Sequence, residues 1–374
     1  MNARTLRREK RLWDKPTLTL SLGCVSCRQY DICGGLRTEA ALLDCIGLCC
    51  GRPANCTTVC RNKPADFVAR VREIGGFDLN ETPRTPELVA PPLPGMVPVI
   101  YHGSKRTLPY PGSIVALPLY ALLRKRSATV KFSSREALCR TFRIAIDSTV
   151  IVTGTAKDPP LERWWSYGEA RGRDIIAALL SLGVRMATTP NYSLFANVPR
   201  WDDMHSMKRI ALTFAQFANA GMPVALHVNG RTERDFERWD GFLRARPEVT
   251  HLAYEFATGA GHGDRYRQHL AWLSSLAASV GRPLHLLVRG GHDVLPELSQ
   301  AFASITVLET SAFMKTMKRQ QAVISDNTTA RWQPFPTATP GELESLLVNN
   351  TATMKELVGH LTARHLAWPS LAVA

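Results

Sequence analysis

The sequence predicts an α/β fold, a (β/α)8 barrel-like domain joined to an N-terminal Cys-rich metal-binding module. Three observations predict it. Eight short β-branched runs, each ending in small or polar residues, recur from residue 97 onward. Stretches that are apolar at helical spacing separate the later runs. Eight of the nine cysteines fall between Cys24 and Cys60, so composition changes sharply near residue 65.

The strand signals run in order from VPVIYH at Val97 and SIVALP at Ser113 through STVIVTG at Ser148 and VRMATTP at Val184. They continue with PVALHVNG at Pro223, VTHLAYEF at Val249, PLHLLVRGG at Pro283 and SITVLET at Ser304. Helices are expected in MKRIALTFAQFANAG from Met207, DRYRQHLAWLSSLAASVG from Asp264 and LPELSQAF from Leu295. Alternation of strand and helix implies parallel pairing through right-handed crossovers. Eight such strands point to a barrel, distorted at its first strands, where the intervening helix is missing. A doubly wound open sheet is the alternative topology.

The expected organisation is a basic Cys-rich module over 1–65, a helix and Pro-rich linker or extended wrap over 66–96, the barrel over 97–331 and a helical tail over 332–374. Two helices are expected in the tail, near Glu342 to Leu347 and near Met354 to His365. No run approaches the ~20 apolar residues that cross a bilayer, and MNARTLRREKRLWDK lacks a signal-type apolar segment, so a cytoplasmic protein without membrane contact is expected.

Lys and Arg total 46 against 32 Asp and Glu, a formal charge of +14. A charge of that size attracts a polyanion, and nucleic acid is the expected partner: DNA, with RNA left open. The basic residues cluster at Arg4 to Arg11, at Arg124, Lys125 and Arg126, and at Lys315, Lys318 and Arg319. The last two clusters are the candidate phosphate contacts.

The cysteine spacing is Cys24-x2-Cys27-x5-Cys33, then Cys45-x3-Cys49-Cys50-x5-Cys56-x3-Cys60. In a reducing compartment so dense a group is expected to hold metal as thiolates, in two four-cysteine sites or one site with spares. The segment CVSCRQYDICGGL resembles the CxxCx5C segment of auxiliary iron–sulfur domains, which implies a [4Fe-4S] cluster; Zn2+ is the alternative. The CxxxCxxC loop of radical-generating clusters is absent, so the metal is expected to be structural.

Reacting groups of a parallel barrel sit where strands end and loops begin. The polar residues there are Thr153, Gly154, Thr155 and Asp158; Thr188, Thr189 and Asn191; His227, Asn229, Arg231 and Asp235; Glu255; Arg289, His292 and Asp293; and Glu309. Cleaving an N-glycosidic bond needs a carboxylate facing an oxocarbenium-like sugar and a second group that helps the base leave. Glu255 and Asp158 are the candidate catalytic carboxylates. The base must leave the stack for a pocket with amide and aromatic groups. Asn191, Tyr192, Asn229 and Trp164 are the candidates, with Arg289 and Glu309 as further substrate-binding residues.

The segment from TTPNYSLFANVPRW to VALHVNGRTERDFERW resembles a bacterial and phage barrel-like family marked by TPxxSLxxxxPR and a following strand ending in Asn. More distantly, a barrel with cysteine-bound metal is similar to the tRNA-guanine transglycosylases, their DNA-modifying relatives and barrel-type DNA glycosylases of phage defence. That resemblance implies attack at the sugar C1′, with excision or exchange of a base. The expected function is therefore a DNA glycosylase acting on modified bases, or a base transglycosylase. A non-catalytic nucleic-acid-binding or regulatory protein and a metal-dependent nuclease are the alternatives.

The cysteine reading makes one direct prediction. The purified protein carries either iron with the broad visible absorption of a cluster or stoichiometric zinc, and elemental analysis showing neither would refute it.

Overall fold

The structure is a computed structural model in which residues 19–20, 37–38, 70, 72–124, 127–194, 200–257, 265–325 and 328–363 are described. Residues 19–20 and 37–38 form a two-residue antiparallel pair. All eight cysteines from Cys24 to Cys60 lie outside the described residues, as do Lys125 and Arg126.

Eight parallel strands make one sheet: β1 Met96–Pro98, β2 Ile114–Pro118, β3 Thr149–Thr153, β4 Val184–Thr188, β5 Val224–His227, β6 His251–Glu255, β7 His285–Arg289 and β8 Ser304–Glu309. Every predicted run supplies one of them. From β2 to β8 each strand pairs with the next, and β8 pairs back onto β1 with Leu308 opposite Val97. The ring closes between β1 and β2 through a single parallel bridge, Val99 to Ala116, where Ile100 N donates to Ala116 O at 2.9 Å. Closure is thin there because β1 is short and Pro98 has no N–H to give. The sheet is thus nearly a closed (β/α)8 barrel. As expected, residues 99–113 between β1 and β2 contain no α-helix.

The helices are α1 Arg135–Phe142, α2 Asp158–Ser166, α3 Gly168–Ser181, α4 Arg200–Asn219, α5 Glu233–Arg244, α6 Arg265–Val280, α7 Leu295–Ala301 and α8 Ser311–Met317. Local chemistry sets several starts. Ser134 caps α1 by accepting from Ala137 N at 3.2 Å. Thr232 and Asp235 form a capping box on α5, in which Asp235 also accepts from Arg231 N at 2.8 Å. Asp235 therefore has a cap's work and is buried in it.

Of the expected wrap, residues 72–95 pack closely on the barrel. Arg246 donates to Asn80 O at 2.9 Å and to Thr82 O, Arg238 donates to Phe77 O at 2.8 Å, and Lys208 reaches Asp78 O. Ala90 and Leu93 then pack against the barrel's interior cluster near the start of β1, and Thr306 Oγ1 donates to Pro94 O at 2.9 Å. The proline-rich stretch is a strap that stoppers the lower end of the barrel.

The tail departs from expectation. After α8 the chain makes an antiparallel ribbon, β9 Gln320–Ser325 and β10 Thr329–Pro334, so the expected boundary at 331 falls inside a strand. The two expected helices are one, α9 Pro340–Ala363, because the buried face runs on from Leu343 and Leu347 through the polar Asn350 and Thr351 to Met354, Leu357 and Leu361. Two buried polar groups fasten it. Glu344 pairs with Arg106 at 3.1 Å and accepts from Thr107 N at 3.1 Å; Asn350 accepts from Ala322 N at 2.7 Å and donates to Thr316 Oγ1 and Gln320 O, each at 2.8 Å. No helix among the described residues is long and apolar enough to cross a membrane.

Arg106 is buried and also donates to Phe142 O at 3.1 Å, so removing its carboxylate partner strands a buried charge. Glu344→Ala is expected to cost about 3–5 kcal/mol in denaturant unfolding. An unchanged midpoint would mean that α9 is not held through this pair.

A candidate active site at the mouth of the barrel

Along a barrel strand every second side chain points inward. Val97, Val99, Ala116, Ile151, Met186, Ala225, Ala253, Leu287 and Leu308 do so and form a cluster distinct from the helix-facing core. One step further along the same faces stand Tyr101, Thr153, Thr188, His227, Glu255 and Arg289. Within one layer the interior changes from apolar to polar, at the end where catalytic residues of such barrels gather.

Glu255 and Arg289 meet across the β6–β7 pair, with Arg289 Nη1 3.4 Å from Glu255 Oε2. Glu255 Oε1 accepts from Ala257 N at 2.9 Å, whereas buried Oε2 has no hydrogen-bond partner, and neither has buried Arg289 Nε. Burial raises the Glu255 pKa above the ordinary carboxylate value, against the opposing charge of Arg289 and the Ala257 amide. Gly290 makes this arrangement possible: its φ is +73°, and a Cβ there would lie 2.6 Å from Ala257 N, displacing the amide that holds Glu255. Tyr101 shares the same field. Burial raises its pKa, Arg289 lowers it, and Glu255 and Glu309 add to the rise.

His227 is fully enclosed. Its Nδ1 donates to Thr189 O at 2.7 Å, which leaves Nε2 as an acceptor, 3.4 Å from Thr155 Oγ1. Burial pushes its pKa down to about 4; the Thr189 bond opposes that shift and the charge of Arg289 adds to it. The ring is therefore a neutral acceptor at neutral pH. Around it β3 and β4 approach closely: Gly154 N donates to Thr188 Oγ1 at 2.9 Å, and a Cβ on Gly154 would fall 2.4 Å from Thr189 O.

Of the expected substrate residues, Asn191 and Asn229 are brought together, with Asn229 Nδ2 donating to Asn191 Oδ1 at 3.1 Å. Asp158 stands exposed at the start of α2, where Ser193 Oγ donates to it at 2.5 Å. It follows β3, three strands round the ring from the strand of Glu255, and the two carboxylates make no contact with each other. Glu309 faces the helices: it accepts from Ser311 N and Ala312 N at the start of α8 and pairs with His292 at 2.8 Å. Burial opposes charge on both, yet their mutual hydrogen bond holds the His292 pKa up and the Glu309 pKa down.

Two expected base-stacking residues have other work. Trp164 is buried and stacked on Phe217 with ring centroids 5.2 Å apart. Tyr192 is fully buried beneath the Arg209 guanidinium, 4.1 Å from its ring centre. Both are core residues; Tyr192 anchors the loop that presents Asn191. Among the basic candidates, Arg124 is exposed on the loop after β2, Lys315 lies over the Trp332 ring at 5.7 Å, Lys318 is exposed, and Arg319 is half-buried, donating to Met317 O at 3.2 Å. Tyr101 was missed from the sequence although the alternation Val97, Val99, Tyr101 places it inward, and His227 stood at its strand end without a role. Among the described residues no three His, Cys, Asp or Glu side chains come together as a metal site.

The neutral His227 has a consequence for stability. An unfolded histidine takes up its proton near pH 6.5, but this one resists until about pH 4. Between those values the unfolded chain binds more protons, so stability falls as pH falls, by up to about 3 kcal/mol for this ring. His227→Gln is expected to show a smaller loss than the parent in urea midpoints between about pH 7 and pH 4.5. An equal loss in both proteins would place the protonation elsewhere. No protein-family model and no curated protein matches this chain.

Proposed function

We propose that the protein is a nucleic-acid-acting enzyme that cleaves or exchanges a base at the N-glycosidic bond, in its simplest form a DNA glycosylase for modified bases. One observation carries the reading: at the barrel mouth Glu255 Oε2 faces Arg289 Nη1 at 3.4 Å without a hydrogen bond to it, and the buried Arg289 Nε has no hydrogen-bond partner either. A buried carboxylate oxygen not engaged in a hydrogen bond suits positive charge developing on a sugar ring. A guanidinium N–H beside it suits the oxygen of a departing base or of a phosphate.

In this reading Glu255 stabilises the oxocarbenium-like sugar as the C1′–N bond breaks and the base leaves with the electron pair. In hydrolysis, water supplies hydroxide to C1′, and its proton, taken up at His227 Nε2, is passed to the departing base. In exchange, a second base takes the place of water. Asn191 and Asn229 offer amide groups to the edge of a base withdrawn from the stack. Asp158, three strands round the ring, acts as the second carboxylate.

The charge of +14 and exposed Arg124 on the loop after β2 support a polyanionic substrate at this end of the barrel. Lys125 and Arg126 extend that cluster in sequence, and Lys315, Lys318 and Arg319 form the second set of proposed phosphate contacts. The eight cysteines are proposed to hold a [4Fe-4S] cluster or Zn2+ with a structural role. The resemblance to phage-defence glycosylases makes modified phage DNA the first substrate to try, with tRNA as the comparison.

Mass spectrometry of bases released from both nucleic acids tests the proposal. The parent releases base; Glu255→Gln, which keeps shape and loses charge, lowers the rate about 10²–10³-fold while nucleic-acid binding survives. Asp158→Asn also loses activity. Undiminished release by both variants, from a substrate the parent cleaves, would sink the assignment.

A further inference from the structure

We propose that the ribbon β9–β10 is a recognition arm for duplex DNA that enters the major groove with one face, beyond the phosphate contacts already assigned to its flank. The inference rests on the reading of the protein as nucleic-acid-acting and names the form of nucleic acid it takes. The register divides the ribbon cleanly. Ala322, Ile324, Ala330 and Trp332 face the body of the protein: Ala322 is buried and the others pack against the core. The opposite face carries the cross-strand pairs Gln321 with Gln333, Val323 with Arg331, and Ser325 with Thr329. Arg331, Gln333, Val323 and Thr329 are exposed, and Gln321 and Ser325 are half-exposed.

That outer face is made of amides, hydroxyls, one guanidinium and one small apolar group, and it contains no carboxylate. In the sequence between Ser311 and Phe335 the single acidic residue is Asp326, against four basic ones, Lys315, Lys318, Arg319 and Arg331. Gln pairs with the adenine edge, Arg with guanine, Ser and Thr with either, and a small apolar group meets the thymine methyl. The dimensions agree. Side chains two residues apart on a strand are roughly 7 Å apart, about two base-pair steps of ~3.4 Å. Two strands ~4.8 Å apart fit the ~12 Å width of the B-form major groove. The deep, narrow major groove of an RNA duplex does not admit such a ribbon, so the occupant is DNA.

The base of the ribbon is held firmly, as a reading arm must be. Asn350 of α9 bonds Ala322 N, Gln320 O and Thr316 Oγ1, and Phe335 N donates to Arg319 O at 2.7 Å. Lys318 and Arg319 precede the first strand and sit where the phosphates beside the groove would pass.

Fluorescence anisotropy with the full-length protein and labelled ~20-base-pair duplexes tests this at several salt concentrations, without any turnover. The parent is expected to bind DNA duplex more tightly than RNA duplex of the same sequence. Lys318→Ala with Arg319→Asn, the latter chosen because Arg319 has φ +59° and Asn tolerates that conformation, lowers the log–log salt slope by roughly 2. Gln321→Ala with Gln333→Ala leaves the slope in place and reduces discrimination among duplexes selected from a random pool by about tenfold or more. Equal binding of DNA and RNA duplexes, or parent-like selectivity in the glutamine variant, would overturn the proposal. Glu255→Gln is expected to bind duplex like the parent, so failure of the glycosidic reading and failure of the ribbon reading give different results.

Discussion

Alternation along a closed parallel sheet is the constraint from which the rest of this structure follows. Once eight strands curl into a ring, each strand sends every second side chain to a shared axis, whether or not the sequence makes good use of it. Here Val97, Val99, Ala116, Ile151, Met186, Ala225, Ala253, Leu287 and Leu308 fill the lower interior. The next position along the same faces delivers Tyr101, Thr153, Thr188, His227, Glu255 and Arg289 to one place. Residues 188 positions apart in the chain, Tyr101 and Arg289, sense each other's charge for this reason alone.

A polar layer over an apolar one is costly, because burial works against the charged forms of His227 and Glu255 alike. The protein offsets the cost with neighbouring hydrogen bonds: Thr189 O for His227, Ala257 N for Glu255, and the His292–Glu309 pair at the edge. Distant fastenings keep the frame rigid enough to hold them. The strap over 72–95 stoppers the lower end, and α9 locks the β1–β2 connection through Glu344 and the ribbon through Asn350. The weakest seam of the ring, between β1 and β2, is also the one that Arg106 and Glu344 brace from outside.

Much of this was legible in the sequence. All eight strands stood out because buried parallel strands are short β-branched runs, and the missing helix between the first two showed as a gap in helical spacing. The rim residues followed from the strand ends. What escaped was information that exists only across chain separations. Trp164 and Tyr192 look like pocket aromatics in sequence, yet Phe217 and Arg209 cover them. Glu309 stands at a strand end but has the other parity from Leu308, so it turns to α8 and His292. The ribbon was invisible because its strands are half-exposed and polar, and α9 read as two helices because Asn349 and Asn350 interrupt the apolar pattern where Asn350 is doing the binding. The cysteines are the reverse case, distinct in sequence and outside the described residues.

The central claim is that Glu255, at the mouth of the barrel, is a carboxylate set to face positive charge on a sugar. Oligonucleotides carrying a cationic nitrogen analogue of the sugar at an abasic position, compared with a neutral tetrahydrofuran analogue, measure that property directly, since mimics of a transition state bind far more tightly than ground-state shapes. The account predicts that the parent prefers the cationic analogue by about tenfold or more and that Glu255→Gln loses the preference while binding the neutral analogue unchanged. Equal affinity of the parent for the two analogues would contradict it.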